Sequence, residues 1–231
     1  MMPELAPGGP VRHGRGIRGT LSTAGDARSA CWPGETRPMH GKGHDVSTLA
    51  EQLDRHLCAD AREEADLATI RAFVAAHDDP FARSHLDAHV TGSAVIVSHD
   101  GARVLLVHHR RLDLWLQPGG HGEPGETDAG AVALREATEE TGIVALTLHP
   151  TAPRPVDVDV HRIPERKDVP AHDHLDVRYV VVAPADARVE RDVDETHDAR
   201  WFTWDELDAL QTDHAFRRMM AKVRGLVQPT S

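Results

Sequence analysis

The hydrophobic period of this chain changes once, and that change limits the folds open to it. Up to about residue 80 apolar residues recur at helical spacing: Leu49, Leu53 and Leu57, then Leu67, Ile70, Phe73 and Val74. From His89 they alternate, and "HVTGSAVIVS" and "ARVLLVHHR" bracket an Asp100-Gly101 turn as a hairpin. Side chains repeat every 3.6 residues around a helix and every two along a strand, so helices lead into a sheet. "LWLQ" is a third short strand, running into a glycine-rich loop and then a helix. "VDVDVHRI" and "HLDVRYVVVA" form a second strand pair, and "ARWFT" a last strand. Thr203-x-x-Glu206 caps a short helix after it, and a final helix runs near Asp213 to Arg224 with Gly225 at its C′ position. Strands with helices between and after them predict an α/β domain with a mixed sheet over residues 88–225.

Residues 46–80 precede that domain as a helical extension. Thr48-x-x-Glu51 is a capping box, and Asp60 caps the second helix, with Pro80 beyond its end. Each helix has a single apolar face, which needs cover from the following domain or from a second copy, as in a homodimer. Residues 1–45 hold half of the 18 glycines and no hydrophobic period. Such a segment buries too little surface to offset its ordering entropy and is expected to be disordered, an inert tail rather than a tether. Met39 stands as an alternative start.

The formal charge of −11 argues against a nucleic-acid polymer or an anionic membrane as partner. It leaves room for a small phosphorylated substrate, because a bound cation reverses the local sign. Cys31 and Cys58 form no metal-ligand spacing or disulfide framework, which fits a reduced cytoplasm. No apolar run reaches the roughly 18 residues of a membrane span.

Residues 119–143, "GGHGEPGETDAGAVALREATEETGI", set glycines ahead of a carboxylate-rich helix expected from Asp128 to Gly142. Gly130, Leu134, Ala137 and Thr141 share a small face suited to a sheet. Glu136, Glu139 and Glu140 stand at i, i+3 and i+4, so their carboxylates converge. Two such charges ~4 Å apart repel by about 4 kcal/mol at an effective dielectric of roughly 20. A hard divalent cation removes that repulsion, so the cluster reads as a site for Mg²⁺ or Mn²⁺. Arg135 is placed to bridge back to Glu126 and fix loop against helix.

These residues resemble the Nudix box, G-x5-E-x7-R-E-U-x-E-E-x-G-U, where U is a bulky apolar residue. Gly120, Glu126, Arg135, Glu136, Glu139, Glu140, Gly142 and Ile143 fill its positions. One extra residue separates Glu126 from Arg135, and Ala137 is small where a larger side chain is common. The resemblance to the Nudix hydrolase superfamily implies an α/β/α sandwich and hydrolysis of a nucleoside diphosphate linked to another moiety. It implies that Glu136, Glu139, Glu140 and the Gly120 carbonyl hold Mg²⁺ while water attacks phosphorus in line. Glu139 or Glu140 is the first choice of general base. Glu195, in "DETHDARWF", is the second, or else a further metal ligand.

Strand alternation puts Asp157, Asp159 and His161 on one face, and His172, His174 and Asp176 on the facing strand. Val158, Val160, Leu175 and Val177 then face the core. The polar rows are either a solvated sheet face or a site for substrate or an extra metal, with His161, His174, Asp159 and Asp176 as its residues. Arg178 and Lys167 are phosphate-binding candidates, and His108, His109 and His121 lie near the loop. Trp115 reads as packing before base stacking, and Trp201 and Trp204 as structural.

Three functions are compatible with this pattern. The first is a Mg²⁺-dependent pyrophosphohydrolase acting on a small nucleotide. A non-catalytic Nudix sensor would be expected to lose box glutamates, all of which are present. An isoprenoid-diphosphate isomerase would want a cysteine inside the domain, and both cysteines precede it. Subfamily markers do not name the substrate: Asp159, Val160 and His161 stand where a tyrosine would suggest dinucleoside polyphosphates, and Val158 where a proline would suggest ADP-ribose.

Overall fold

The computed structural model describes residues 48–110, 112–151, 154–166, 169–190 and 196–227, so the expected tail lies outside the described residues. Helix α1 (Leu49–Asp54) opens with a reciprocal capping box, Glu51 N donating to Thr48 Oγ1 at 3.2 Å and Thr48 N to Glu51 Oε2 at 2.9 Å. Asp60 caps α2 (Ala61–Ala76) by accepting from Glu63 N at 2.8 Å. Leu49, Leu53, Leu67 and Ile70 are buried in the same apolar cluster as the sheet. Each such side chain contributes about 1.5–3 kcal/mol by leaving water. Leu57, expected on this stripe, is instead 65% exposed. Helix α1 has already ended at Asp54, so the four-residue spacing no longer maps to one face.

Among the described residues eight strands form one mixed sheet: β1 (Ala88–Val97), β2 (Arg103–His109), β3 (Leu114–Leu116), β4 (Gly119–His121), β5 (Thr147–Leu148), β6 (Asp157–Ile163), β7 (His172–Val182) and β8 (Thr196–Thr203). Strand β1 is buried along its whole length and runs antiparallel to β2 and parallel to β7. On one face Val90, Ala94 and Ile96 join α1, α2 and α3 (Ala129–Thr141). On the other Val95 and Val97 pack with Phe202, α4 (Trp204–Asp208) and α5 (His214–Val227). The result is an α/β/α sandwich.

Gly92 lets α3 lie directly on β1: a Cβ there would sit 2.5 Å from Ala129 O and 2.9 Å from Ala133 N. The glycine-rich segment before α3, read as a loop, forms β4 and pairs with β1 through Gly92↔Gly120 and Thr91↔His121. Thr203 and Glu206 form the expected capping box on α4. Gly225 is not a C′ residue, because α5 continues to Val227, which is buried with Val223 against the sheet. Among the described residues no helix is long and apolar enough to cross a membrane.

Candidate active site

Helix α3 is set by local rules. Asp128 caps its start, accepting from Gly130 N at 2.8 Å, and also accepts from Gln52 Nε2 of α1 at 3.3 Å. Gly142 ends it in the left-handed region at φ 64°, its N–H donating to Thr138 O at 2.8 Å. Glu136 and Glu140 then meet β4. Glu140 is buried and accepts from the Gly119 amide at 2.9 Å. The Glu136 carboxylate occupies the space a Cβ on Gly120 would need, with its Cδ only 2.5 Å from that position. Glu139 has its side chain 55% exposed.

Arg135 joins these groups. Its Nε and Nη2 donate to Glu126 at 3.2 and 3.0 Å, and Nη1 donates to Glu136 at 3.0 Å and to Glu139 at 2.9 Å. Nη2 also donates to the His121 carbonyl at 2.7 Å. The Arg135 hydrogen bond holds the Glu126 carboxyl below its ordinary range, against the smaller push of burial. The extra residue between Glu126 and Arg135 therefore does not disturb the loop-to-helix tie. An all-oxygen set of three carboxylates around a side-chain-free glycine fits a hard divalent cation. Glu136 and Glu139 are turned to Arg135, and Glu140 to the Gly119 amide.

The polar rows of β6 and β7 pair as expected, Asp157↔Arg178, Asp159↔Asp176 and His161↔His174. Through Thr91↔Asp176 and Gly92↔Gly120 they lie on the sheet face opposite α3. Most of that face is closed to solvent, with Asp157, Asp159, Asp176 and Arg178 buried, while His161 stays 40% exposed. Arg178 is buried and donates to Asp176 at 2.7 Å, Asp159 at 3.0 Å and Asp157 at 3.1 Å. Asp176 also accepts from Thr91 at 3.0 Å and Ser93 at 2.7 Å. Asp159 accepts from His161 at 3.1 Å; burial pushes its carboxyl up, but His161 and Arg178 outweigh this and hold it at about 2. His174 meets His121 at 3.2 Å and His172 at 3.3 Å, and burial, then His121, pushes it down to about 2. Burial likewise lowers His121 to about 4.

Glu195 and Lys167 lie outside the described residues. His108 packs on Trp115, which stands edge-on to Phe202, while Trp204 donates to Gly101 O at 3.0 Å. Two groups escaped the sequence reading. His89 on β1 joins the histidines of β4 and β7. Glu63, on the stripe of Leu67 and Ile70, bonds His56 at 2.8 Å and Lys222 at 2.5 Å, while Arg218 bonds Asp157 at 2.8 Å. A charged residue on an otherwise apolar helical stripe was the available signal for Glu63.

A family model for the NUDIX domain matches residues 88–223. The "Putative 8-oxo-dGTP diphosphatase" of Bacillus subtilis (strain 168) is 45% identical over 51 residues, 22% of this chain and 34% of that protein, so the chain spans about a third of that relative. A NUDIX-family hydrolase from Clostridium perfringens aligns with TM-score 0.47 at 20% identity, over 60% of this chain and 97% of the other. The MutT protein from Methanosarcina mazei Go1 aligns with TM-score 0.47 at 16% identity, over 62% and 98%. The NUDIX domain of Shewanella oneidensis NrtR, complexed with ADP ribose, aligns with TM-score 0.45 at 17% identity, over 68% and 97%. Because the matched segment spans more than half of the sequence and contains both β4 and the glutamate helix, this chain belongs to the NUDIX domain family.

Proposed function

We propose that this chain is a Mg²⁺-dependent pyrophosphohydrolase cleaving a nucleoside diphosphate linked to another moiety, or a nucleoside triphosphate. The observation that carries this reading is the apposition of Glu136 to Gly120 and of Glu140 to the Gly119 amide, with Arg135 and Glu126 locking loop to helix. Glu136, Glu139, Glu140 and the Gly120 carbonyl would hold Mg²⁺ or Mn²⁺. When bound, such an ion neutralises charge on the diphosphate and lowers the pKa of water. Glu139, the most exposed of the three, would take the proton of the attacking water, a role its exposure supports, while Glu140 already accepts from Gly119. Water oxygen bonds to phosphorus, the anhydride P–O bond breaks, and its electron pair leaves with the departing phosphate.

Because the Bacillus subtilis relative is named for 8-oxo-dGTP, that nucleotide belongs in the first substrate panel alongside unmodified triphosphates and nucleoside diphosphate derivatives. The test is release of phosphate-containing product with Mg²⁺ and with Mn²⁺, wild type against Glu140→Gln. Loss of a general base or metal ligand is expected to lower kcat by about 10²–10⁴-fold. Equal rates for both proteins on every substrate would end the reading.

A further inference from the structure

His89 of β1, His121 of β4, and His172 and His174 of β7 bring one ring nitrogen each to within 4.8 Å of one another. The parallel register sets His89 directly beside His174, and β4 brings in His121. Hydrogen bonding among the rings does not account for the arrangement. Pro170 O can only accept, so His172 must donate Nδ1–H to it at 2.8 Å, which leaves the neutral ring's Nε2 as a lone pair facing the cluster. That lone pair lies 3.3 Å from His174 Nε2, which in turn lies 3.2 Å from His121 Nε2. One Nε2–H on His174 can serve one of these neighbours, not both. His89 is only 4% exposed, and its ring nitrogens are left with at most a loose contact to the His85 backbone. Adding protons is no remedy, because each new positive charge would face three other imidazoles.

We propose that these four histidines bind one Zn²⁺ ion, in a site separate from the glutamate helix and on the opposite face of the sheet. An all-imidazole set suits zinc-type ions and not Mg²⁺, which demands oxygen. Zinc–nitrogen bonds of about 2.0–2.1 Å in a tetrahedron place ligand nitrogens about 3.3 Å apart. The spacings of 3.2 and 3.3 Å already have that size. The Pro170 carbonyl fixes the His172 tautomer as outer partners of metal-bound histidines do. Four protein ligands leave no open position, so the ion is structural. It clamps β4, the strand carrying Gly119 and Gly120, to β1 and β7. This inference does not depend on the hydrolase reading.

The test uses the full chain without a histidine tag. Metal content is measured on the protein purified from zinc-supplemented cells, and Co²⁺ is then titrated into chelated protein. One equivalent of zinc is expected, together with the intense visible bands of tetrahedral Co²⁺ and a rise in Tm on adding Zn²⁺. Glu140→Gln should keep all three. Outer-partner losses alone weaken metal affinity about 10–100-fold, so His89→Ala and His172→Gln are each expected to weaken Zn²⁺ by about 100-fold or more. Chelated wild type keeps every side chain and controls for misfolding of the variants. If it takes up no Zn²⁺ and gives no tetrahedral Co²⁺ spectrum, or if Glu140→Gln abolishes binding while the histidine variants retain it, the site is refuted.

Discussion

Arg135 grips both oxygens of Glu126, at 3.2 and 3.0 Å, while its other edge holds Glu136 and Glu139 at 3.0 and 2.9 Å. One guanidinium thus sets the position of two carboxylates proposed to carry the metal and ties them to the loop. Lysine presents a point charge and cannot make the paired contact. Arg135→Lys is therefore expected to leave the fold intact and to lower Mg²⁺ affinity and kcat/KM by about 10–100-fold. Calorimetric titration with Mg²⁺ and steady-state kinetics check this; unchanged values would make the grip incidental.

Gly92 and Gly120 are paired across β1 and β4, yet alanine at each should fail differently. At Gly92 the new Cβ meets backbone, Ala129 O at 2.5 Å, so α3 must lift from the sheet. The expected loss is about 1–3 kcal/mol of stability, read by denaturant unfolding. At Gly120 it meets the Glu136 carboxylate, the free end of a flexible side chain. That side chain can swing aside, so Gly120→Ala should fold with nearly wild-type Tm and lose most of its activity. If the two variants lose stability alike, the assignment of Glu136 to Gly120 is wrong.

The Glu63 carboxylate is fully buried and receives hydrogen bonds from His56 at 2.8 Å, Lys222 at 2.5 Å and Ala59 N at 2.6 Å. Burial pushes its pKa up, but the bonds from His56 and Lys222 outweigh this and hold it well below the usual carboxylate range. A folded-state pKa below the unfolded one adds stability that is complete above the unfolded value, about 4.3, and is lost as pH falls through and below it. Asp159, held at about 2, adds acid sensitivity of the same sign. Glu63→Gln is expected to cost about 3 kcal/mol at pH 7, because it breaks a buried ion pair from one side. Its Tm should also fall less steeply than that of wild type below about pH 5. Parallel Tm curves for the two proteins between pH 7 and pH 3 would contradict this.

What could be read from the sequence was what local spacing decides. Arg135 and Glu139 are one helical turn apart, Asp128 and Gly142 bound the helix, and the hairpin at Gly101 follows from two alternating runs. The facing of Asp159 and Asp176 was readable because a short connection forces β6 against β7. His89 was not legible as a partner of His172, since their meeting depends on the parallel register of β1 on β7. The burial of Arg178 and Asp157 was hidden for the same reason: Arg218, which covers Asp157, comes from α5. Strand β4 was missed because glycines carry no alternation, although their bareness is what admits Glu136.

Tyr179 of β7 donates its hydroxyl hydrogen to Gln52 of α1, and Gln52 donates in turn to Asp128, the cap of α3, at 3.3 Å. The start of the glutamate helix is thus held by a residue outside the segment that matches the NUDIX domain. Tyr179→Phe removes the donor and leaves a buried amide oxygen short of one bond, at an expected cost of about 1–2 kcal/mol. Gln52→Leu also frees Asp128 from its side-chain partner in α1 and should cost a similar amount. Because both changes interrupt one chain of hydrogen bonds, the double variant should lose less than the sum, with an interaction energy of about 0.5–1.5 kcal/mol. Denaturant unfolding of the four proteins measures this. Strict additivity would mean that Tyr179 and Gln52 support the fold separately, and that α1 does not transmit β7's position to the helix cap.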